Sequence, residues 1–235
     1  MPVNGISPAG CGQMGFATIS PAVPQPAIVT DQSFGTLQYG DPFPAGWART
    51  LSLCQEAYVW YPIGQSIVSF FLVDRATVAP SSAPLAPVVQ PVQNPTIFGF
   101  SLFNETSSNS NIVPLSWSAP SGTVPFGYTV RVYVQTTVQG TPTFAPTGVA
   151  FSTAGTSISL PPLAGGNTYV FAVTADADGK ANMETSPFRS SLPTGYATVV
   201  SGPVSINPGT QMPEIHGDRR VITRFSQPQP QGQAH

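Results

Sequence analysis

The sequence contains little charge. Only 8% of its 235 residues are Asp, Glu, Lys or Arg, and lysine occurs once, at Lys180. The formal net charge is -2, and the basic residues form no stripe along the chain. A surface of this kind creates no long-range field that would attract nucleic acid or an anionic membrane. We therefore expect no nucleic-acid partner.

Histidine is almost absent as well, because the only imidazoles are those of His216 and His235, close to the C-terminal end. A Ser-His-Asp or Cys-His site needs an imidazole that a rigid element orients. Most acidic residues are scattered singly, and hydrolysis by paired carboxylates would need two of them in one cleft. No Gly-rich phosphate loop or dinucleotide fingerprint occurs. The sequence thus predicts a protein that is not an enzyme and binds no cofactor.

Cysteine is equally scarce, with Cys11 and Cys54 as the only two. Joined in a disulfide, they would close a loop of about 44 residues and stabilise the fold by roughly 4 kcal/mol. Two buried free thiols are the alternative, with equal weight. Two cysteines without a neighbouring histidine cannot complete a tetrahedral zinc site, so no metal is expected there.

No apolar run is long enough to cross a membrane, since the longest, at 67–73, has only the length of a strand. The first residues lack the basic and apolar regions of a conventional signal peptide. We expect a segment of a longer secreted or cell-surface precursor. The alternative is a protein exported in another way, such as a virion component.

Proline and glycine are abundant, at 27 and 22 residues, and their distribution divides the chain. Residues 1–30 are rich in both and predict an extended arm. A small β-unit is predicted at 31–75. Regularly spaced prolines then make 76–95 a semi-rigid linker, or alternatively an edge strand on the next domain. Residues 207–235 predict a flexible C-terminal tail.

The small β-unit has two strand candidates, 49–61 and 66–75, separated by a turn. Its aromatic residues are Trp47, Tyr58, Trp60 and Tyr61. Exposed in a row, these rings could stack on sugar faces, but aromatic side chains in such a unit more often form its core.

Between residues 96 and 206, apolar and polar positions alternate at the spacing of a β-sandwich. The seven predicted strands are 96–103, 112–118, 127–136, 148–152, 156–160, 168–175 and 196–206. An all-β domain of two sheets is the fold class that this pattern predicts.

Three stretches of this region resemble the fibronectin type III family. Residues 115–120 resemble its second strand with the buried Trp117, and 128–133 resemble its third strand. Residues 163–173 resemble the tyrosine corner that leads into the sixth strand. The resemblance implies a seven-stranded sandwich over about 94–206, in which Trp117, Leu163 and Tyr169 are buried together and the Tyr169 hydroxyl bonds to the backbone near Leu163. Residues 1–93 resemble no family.

Members of that family are mostly extracellular or cell-surface modules used in adhesion, spacing or presentation. The Arg-Gly-Asp tripeptide of its best-known adhesive member does not occur in this sequence, so integrin-type adhesion is not expected. The resemblance implies a domain that works through contacts rather than through chemistry.

Two short motifs carry weaker signals. Residues 176–179, with Glu184, begin like a calcium loop but lack its full set of oxygen ligands, so a polar turn is the stronger interpretation. The triplet that starts at Asn104 is a glycosylation sequon and makes Asn104 a candidate glycan acceptor in a host that has the transferase.

Taken together, these features predict a non-catalytic structural or interaction module of a secreted or cell-surface protein. A protein partner or self-association is expected, including assembly into a filament or lattice, because charge-poor edge strands are suited to pairing between subunits. The alternative function is a carbohydrate-binding accessory module that uses the N-terminal aromatic residues.

Overall fold

The computed structural model describes residues 44, 51–63, 66–79, 87–178, 180–182, 185 and 191–207. Within the first two strands, the described side chains are those of Tyr61, Val68, Asp74, Ala76 and Thr77. The described ranges contain strands and no helix, so they hold no helix that could cross a membrane. The all-β prediction is confirmed.

The strands in chain order are β1 (Leu51–Ile63), β2 (Ser66–Val78), β3 (Gln93–Ile97), β4 (Phe100–Ser101), β5 (Thr106–Ser108), β6 (Val113–Ser118), β7 (Gly127–Val138), β8 (Thr141–Thr153), β9 (Ser157–Leu160), β10 (Asn167–Asp178), β11 (Thr194–Val200) and β12 (Val204–Ile206). The smaller sheet has the order β4-β3-β6-β9. In the larger sheet β10 is central, with β7 and then β8 on one side and β11 and β12 on the other. The β1–β2 hairpin joins the β11 edge, and β5 runs parallel to β12.

The two sheets form the fibronectin type III-like sandwich that the sequence predicts. The first, second and fifth sandwich strands (β3, β6 and β9) lie in one sheet, and the third, fourth, sixth and seventh (β7, β8, β10 and β11–β12) lie in the other. The core between them follows strand alternation: along β6, Val113, Leu115 and Trp117 are buried while the residues between them are exposed. Phe171 on β10 is 0% exposed, and burial of such a side chain contributes about 1.5–3 kcal/mol.

The β1–β2 hairpin packs on the larger sheet of the sandwich. β1 and β2 pair along their whole length, and β2 then pairs with β11 at Thr194 and Gly195. Toward its turn, the hairpin lies on the outer face of the larger sheet, where a second core cluster contains Tyr61, Val68, Phe144 and Val170. β10 is therefore covered on both faces.

Several strand bounds differ from the predicted ones. The first predicted sandwich strand is divided into β3 and β4 by a turn at Phe98 and Gly99, both with positive φ, and the last is divided into β11 and β12. β8 is far longer than 148–152, because prolines are tolerated in an edge strand. β2 extends to Val78, beyond the predicted end of the small unit.

Candidate interaction surface

β8 is held at the edge of the larger sheet by a tight hairpin with β7. Val138 and Thr141 pair directly, which leaves a two-residue loop of Gln139 and Gly140. Both loop residues have positive φ, at 50° and 80°, as a type I′ turn requires. This turn matches the twist of paired strands, so β7 and β8 continue as a long ribbon.

One side of β8 has no strand beside it in the described part of the chain, since β8 pairs only with β7. All of its 13 residues are uncharged. Natural edge strands are usually protected from pairing by charged residues, prolines or bulges. β8 has prolines at Pro142 and Pro146, which remove N–H donors from its first half.

A bulge separates that protected half from the rest of β8. The register with β7 shifts between Arg131 and Tyr133, and the Thr147 hydroxyl donates to the Val132 carbonyl at 2.9 Å. Beyond the bulge, residues 148–153 contain neither proline nor charge, and Val149 is 48% exposed. We call this segment the β8 open edge.

Tyr61 fixes the β1–β2 hairpin to the outer face of the larger sheet. Its ring lies edge-on to Phe144 with centroids 5.5 Å apart, and its hydroxyl donates to the Ser201 carbonyl at 2.9 Å. Burial raises the pKa of the Tyr61 phenol, so the hydroxyl remains a donor at physiological pH. Being only 5% exposed, this ring has no face free for a sugar.

The other aromatic candidates for sugar stacking, which are Trp47 and the side chains of Tyr58 and Trp60, lie outside the described residues. Carbohydrate binding through these three residues stays a prediction.

Ser201 joins three segments, although no pattern in the sequence distinguishes it from other serines. It is 0% exposed. Its Oγ accepts a hydrogen bond from the Phe171 N–H at 2.9 Å and donates to the Gly202 carbonyl at 2.7 Å. Its carbonyl receives the Tyr61 hydroxyl. The break between β11 and β12 is thus also the point to which the hairpin is fastened.

The tyrosine corner has its expected geometry. The Tyr169 hydroxyl donates to the Ala164 carbonyl at 2.8 Å, one residue from Leu163. Tyr169 and Trp117 are 4% and 6% exposed in the core. Leu163, which was predicted to be buried with them, is only half-buried and packs against that core. This hydrogen bond fixes the chain where it enters β10, which is a structural role.

Replacing Tyr169 with phenylalanine should lower the free energy of unfolding by about 1 kcal/mol, since one hydrogen bond is lost while water can still reach the exposed Ala164. Urea unfolding measures the change. Asn167→Ala removes only two 3.4 Å contacts at the same corner and should cost less. An Asn167→Ala loss larger than that of Tyr169→Phe would contradict this ranking.

Asn104 lies exposed in the turn between β4 and β5. The Thr106 hydroxyl of the same sequon donates to the Asn104 carbonyl at 3.3 Å. Glycosylation of Asn104 stays a prediction. The Cys11–Cys54 disulfide stays one as well, because Cys11 and the Cys54 side chain lie outside the described residues.

The acidic motif at the end of β10 closes a loop. Asp178 Oδ1 accepts hydrogen bonds from the N–H groups of Lys180 and Ser191, at 3.3 and 2.8 Å. Asp176 Oδ2 instead accepts from the Thr129 hydroxyl at 2.8 Å. Across the described ranges, no group of three or more His, Cys, Asp or Glu side chains could hold a metal ion.

No family model and no curated protein matches this chain. Among solved structures, it is similar to the twitchin kinase region from C. elegans, over 55% of this chain and 18% of that one, at 17% identity and a TM-score of 0.33. It is also similar to the sixth fibronectin type III domain of human fibronectin type III domain containing protein 3, over 57% of this chain and 98% of that one, at 14% identity and a TM-score of 0.28. The fibronectin type III-like description rests on the strand order and tyrosine corner of the chain itself.

Proposed function

We propose that the protein is a non-catalytic structural and interaction module that associates with a second copy of itself through the β8 open edge. The observation that carries this proposal is a 13-residue edge strand that contains no charge and pairs only with β7 in the described part of the chain. The free backbone N–H and C=O groups of such an edge are a template for another strand.

A second copy is the occupant that the charge distribution favours. Antiparallel pairing of two β8 open edges around a two-fold axis gives an interface in which each copy presents the same patch. A charged residue on that patch would then lie near the same charge on the other copy and repel it, and residues 148–153 include no charged residue. The chain as a whole carries only -2, so repulsion between copies is weak.

We also propose that the chain is located outside the cell, as part of a secreted or cell-surface protein. Supporting it is the resemblance of residues 94–206 to a family of mostly extracellular modules. The non-catalytic part is supported by the position of both imidazoles, which follow β12 in the sequence and lie outside the sandwich strands.

Ser152→Lys tests the proposed interface, because Ser152 is exposed on the β8 open edge and lysine is the residue that natural edges use against pairing. We expect wild-type protein to form dimers or larger species in light scattering coupled to size exclusion, and the variant to associate at least about tenfold more weakly. Ser118→Lys is the matched control, since Ser118 is exposed on β6 of the other sheet.

Two results would refute self-association through β8. One is a wild-type protein that stays monomeric over a wide range of concentration. The other is an oligomer that Ser152→Lys and Ser118→Lys weaken equally, which would place the contact elsewhere. Circular dichroism of both variants checks that each retains its strands.

A further inference from the structure

Two aspartates lie beside the same part of β11, where the β1–β2 hairpin leaves the edge of the larger sheet. β2 pairs with β11 only at Thr194 and Gly195. Further along β11, the Asp74 side chain takes the place of a backbone acceptor on β2, because its Oδ2 accepts a hydrogen bond from the Thr198 N–H at 2.9 Å. The other oxygen, Oδ1, is buried and has no hydrogen-bond partner among the described residues.

Asp176 supplies the second carboxyl group, from the outer face of β10. Its Oδ2 accepts the Thr129 hydroxyl at 2.8 Å, and it lies opposite Tyr196 on β11. Tyr196 lies two residues before Thr198, whose N–H donates a hydrogen bond to Asp74. Both residues therefore lie beside positions 196–198 of β11, and the Asp74 charge contributes to a raised pKa of Asp176.

Among the described side chains, few other charges surround this pair. The described charged and titratable groups around it are Arg131 on β7, Tyr196 on β11 and Asp178 on β10. β8 contributes none, and β1 places the uncharged Gln55 opposite Asp74. The Arg131 side chain is exposed, so its charge is screened and does not neutralise two carboxylates.

Burial raises the pKa of both carboxyl groups above the ordinary value. For Asp74, burial outweighs the hydrogen bonds from Thr198, which lower the pKa. For Asp176, burial is again the largest cause; the Thr129 hydrogen bond and Arg131 oppose it, and the Asp74 charge adds to it. Each group therefore keeps its proton to higher pH with the hairpin docked than with it released.

We propose that Asp74 and Asp176 form a proton-dependent latch, which holds the β1–β2 hairpin on the sandwich more tightly in acid than at neutral pH. Protonation removes the repulsion between the two groups and the cost of a buried, unpaired carboxylate oxygen. The stabilisation is complete below the ordinary pKa of aspartate and is lost as pH rises through the raised pKa values. Release would uncover Val170 and the β11 edge, which the docked hairpin covers.

Hydrogen exchange of the full chain, measured by mass spectrometry between about pH 4.5 and 8, tests the latch. We expect the opening equilibrium of amides in residues 51–78, corrected for intrinsic exchange, to increase by up to about tenfold per pH unit for each proton released. Amides of β10 should change less, because the sandwich core remains closed.

Asp176→Asn and Asp74→Asn should each reduce the pH dependence and protect the hairpin better at neutral pH. Asparagine at position 74 retains an oxygen that can accept the Thr198 N–H, so folding should persist. The control is Glu105→Gln, an exposed carboxyl group in the turn before β5, which should behave as wild type. The latch would be overturned if hairpin opening did not depend on pH or increased in acid. It would also be overturned if the β10 amides opened to the same extent, or if both asparagine variants kept the wild-type pH dependence.

Discussion

Replacing Gly202 with alanine is expected to destabilise the sandwich by about 3 kcal/mol or more, because the added methyl group meets only backbone. A Cβ at this position would lie 2.6 Å from the Asn104 carbonyl oxygen and 2.8 Å from that of Phe103. Neither atom can turn away as a side chain would. The Gly202 N–H also donates to the Leu102 carbonyl at 2.9 Å, so relief by moving the backbone would break that bond.

Thermal unfolding should show this loss as a fall in Tm of about 6 to 12 °C for a chain of this size. Gly155→Ala is the matched control: its Cβ would meet the Thr153 hydroxyl at 3.5 Å, an ordinary contact, and its φ lies outside the left-handed region. The control should change Tm little. If the two alanine variants unfolded at the same temperature, the close approach at Gly202 would be disproved.

The need for glycine at position 202 could not be predicted from the sequence. The stretch from Ser201 to Pro203 has the residue types of a turn, which predicts a break between two strands. The pattern does not predict which part of the chain contacts this turn. The partner is the backbone at Asn104, which is distant in sequence and comes close only when β5 pairs with β12. Ser201 is similar, because its importance arises from contacts with Phe171 and Tyr61 that folding creates.

The sandwich interior was predictable because it repeats a pattern with a period of two. In β6, Leu115 and Trp117 alternate with exposed serines, and this alternation is visible in the letters alone. The turn before Tyr169 has a sequence signature of its own, so the tyrosine corner was predicted together with the strand that it begins.

The cover over the outer face of β10 was not predicted, although the sequence contains a signal for it. Residues 169–173 are apolar without interruption, which is typical of a strand that is buried on both faces. The pattern does not say which element supplies the second cover. Pairing of Ala76 with Gly195 is a contact between distant parts of the chain, and one sequence does not specify such contacts.

The length of β8 was not predicted for a different reason. The predicted strand covered only 148–152, whereas β8 runs from Thr141 to Thr153 through Pro142 and Pro146, residues that normally argue against a strand. At a sheet edge a proline can sit where its missing N–H would face solvent. The strand therefore continues through both prolines, and its length follows from its position in the sheet.

Replacing Tyr61 with alanine should release the β1–β2 hairpin from the sandwich at a cost of about 3 to 5 kcal/mol, the usual range for removing a buried aromatic ring. The variant loses the ring contact with Phe144 and leaves the buried Ser201 carbonyl without its donor. The main core between the sheets does not include Tyr61. Hydrogen exchange should therefore speed up in residues 51–78 while the amides of β10 that face β7 stay protected.

Two further variants separate the sources of this loss. Tyr61→Phe keeps the ring and removes only the hydroxyl, so it should cost about 1 to 3 kcal/mol, the price of an unpaired buried carbonyl. Phe100→Ala removes a ring of the same kind that is 63% exposed, and it should cost less than about 0.5 kcal/mol. A Tyr61→Ala variant with wild-type exchange in the hairpin would show that Tyr61 does not fasten it. Equal loss of protection in β10 would show instead that the hairpin and the sandwich unfold as one unit. The sandwich core would then depend on the hairpin, because the hairpin covers the outer face of β10.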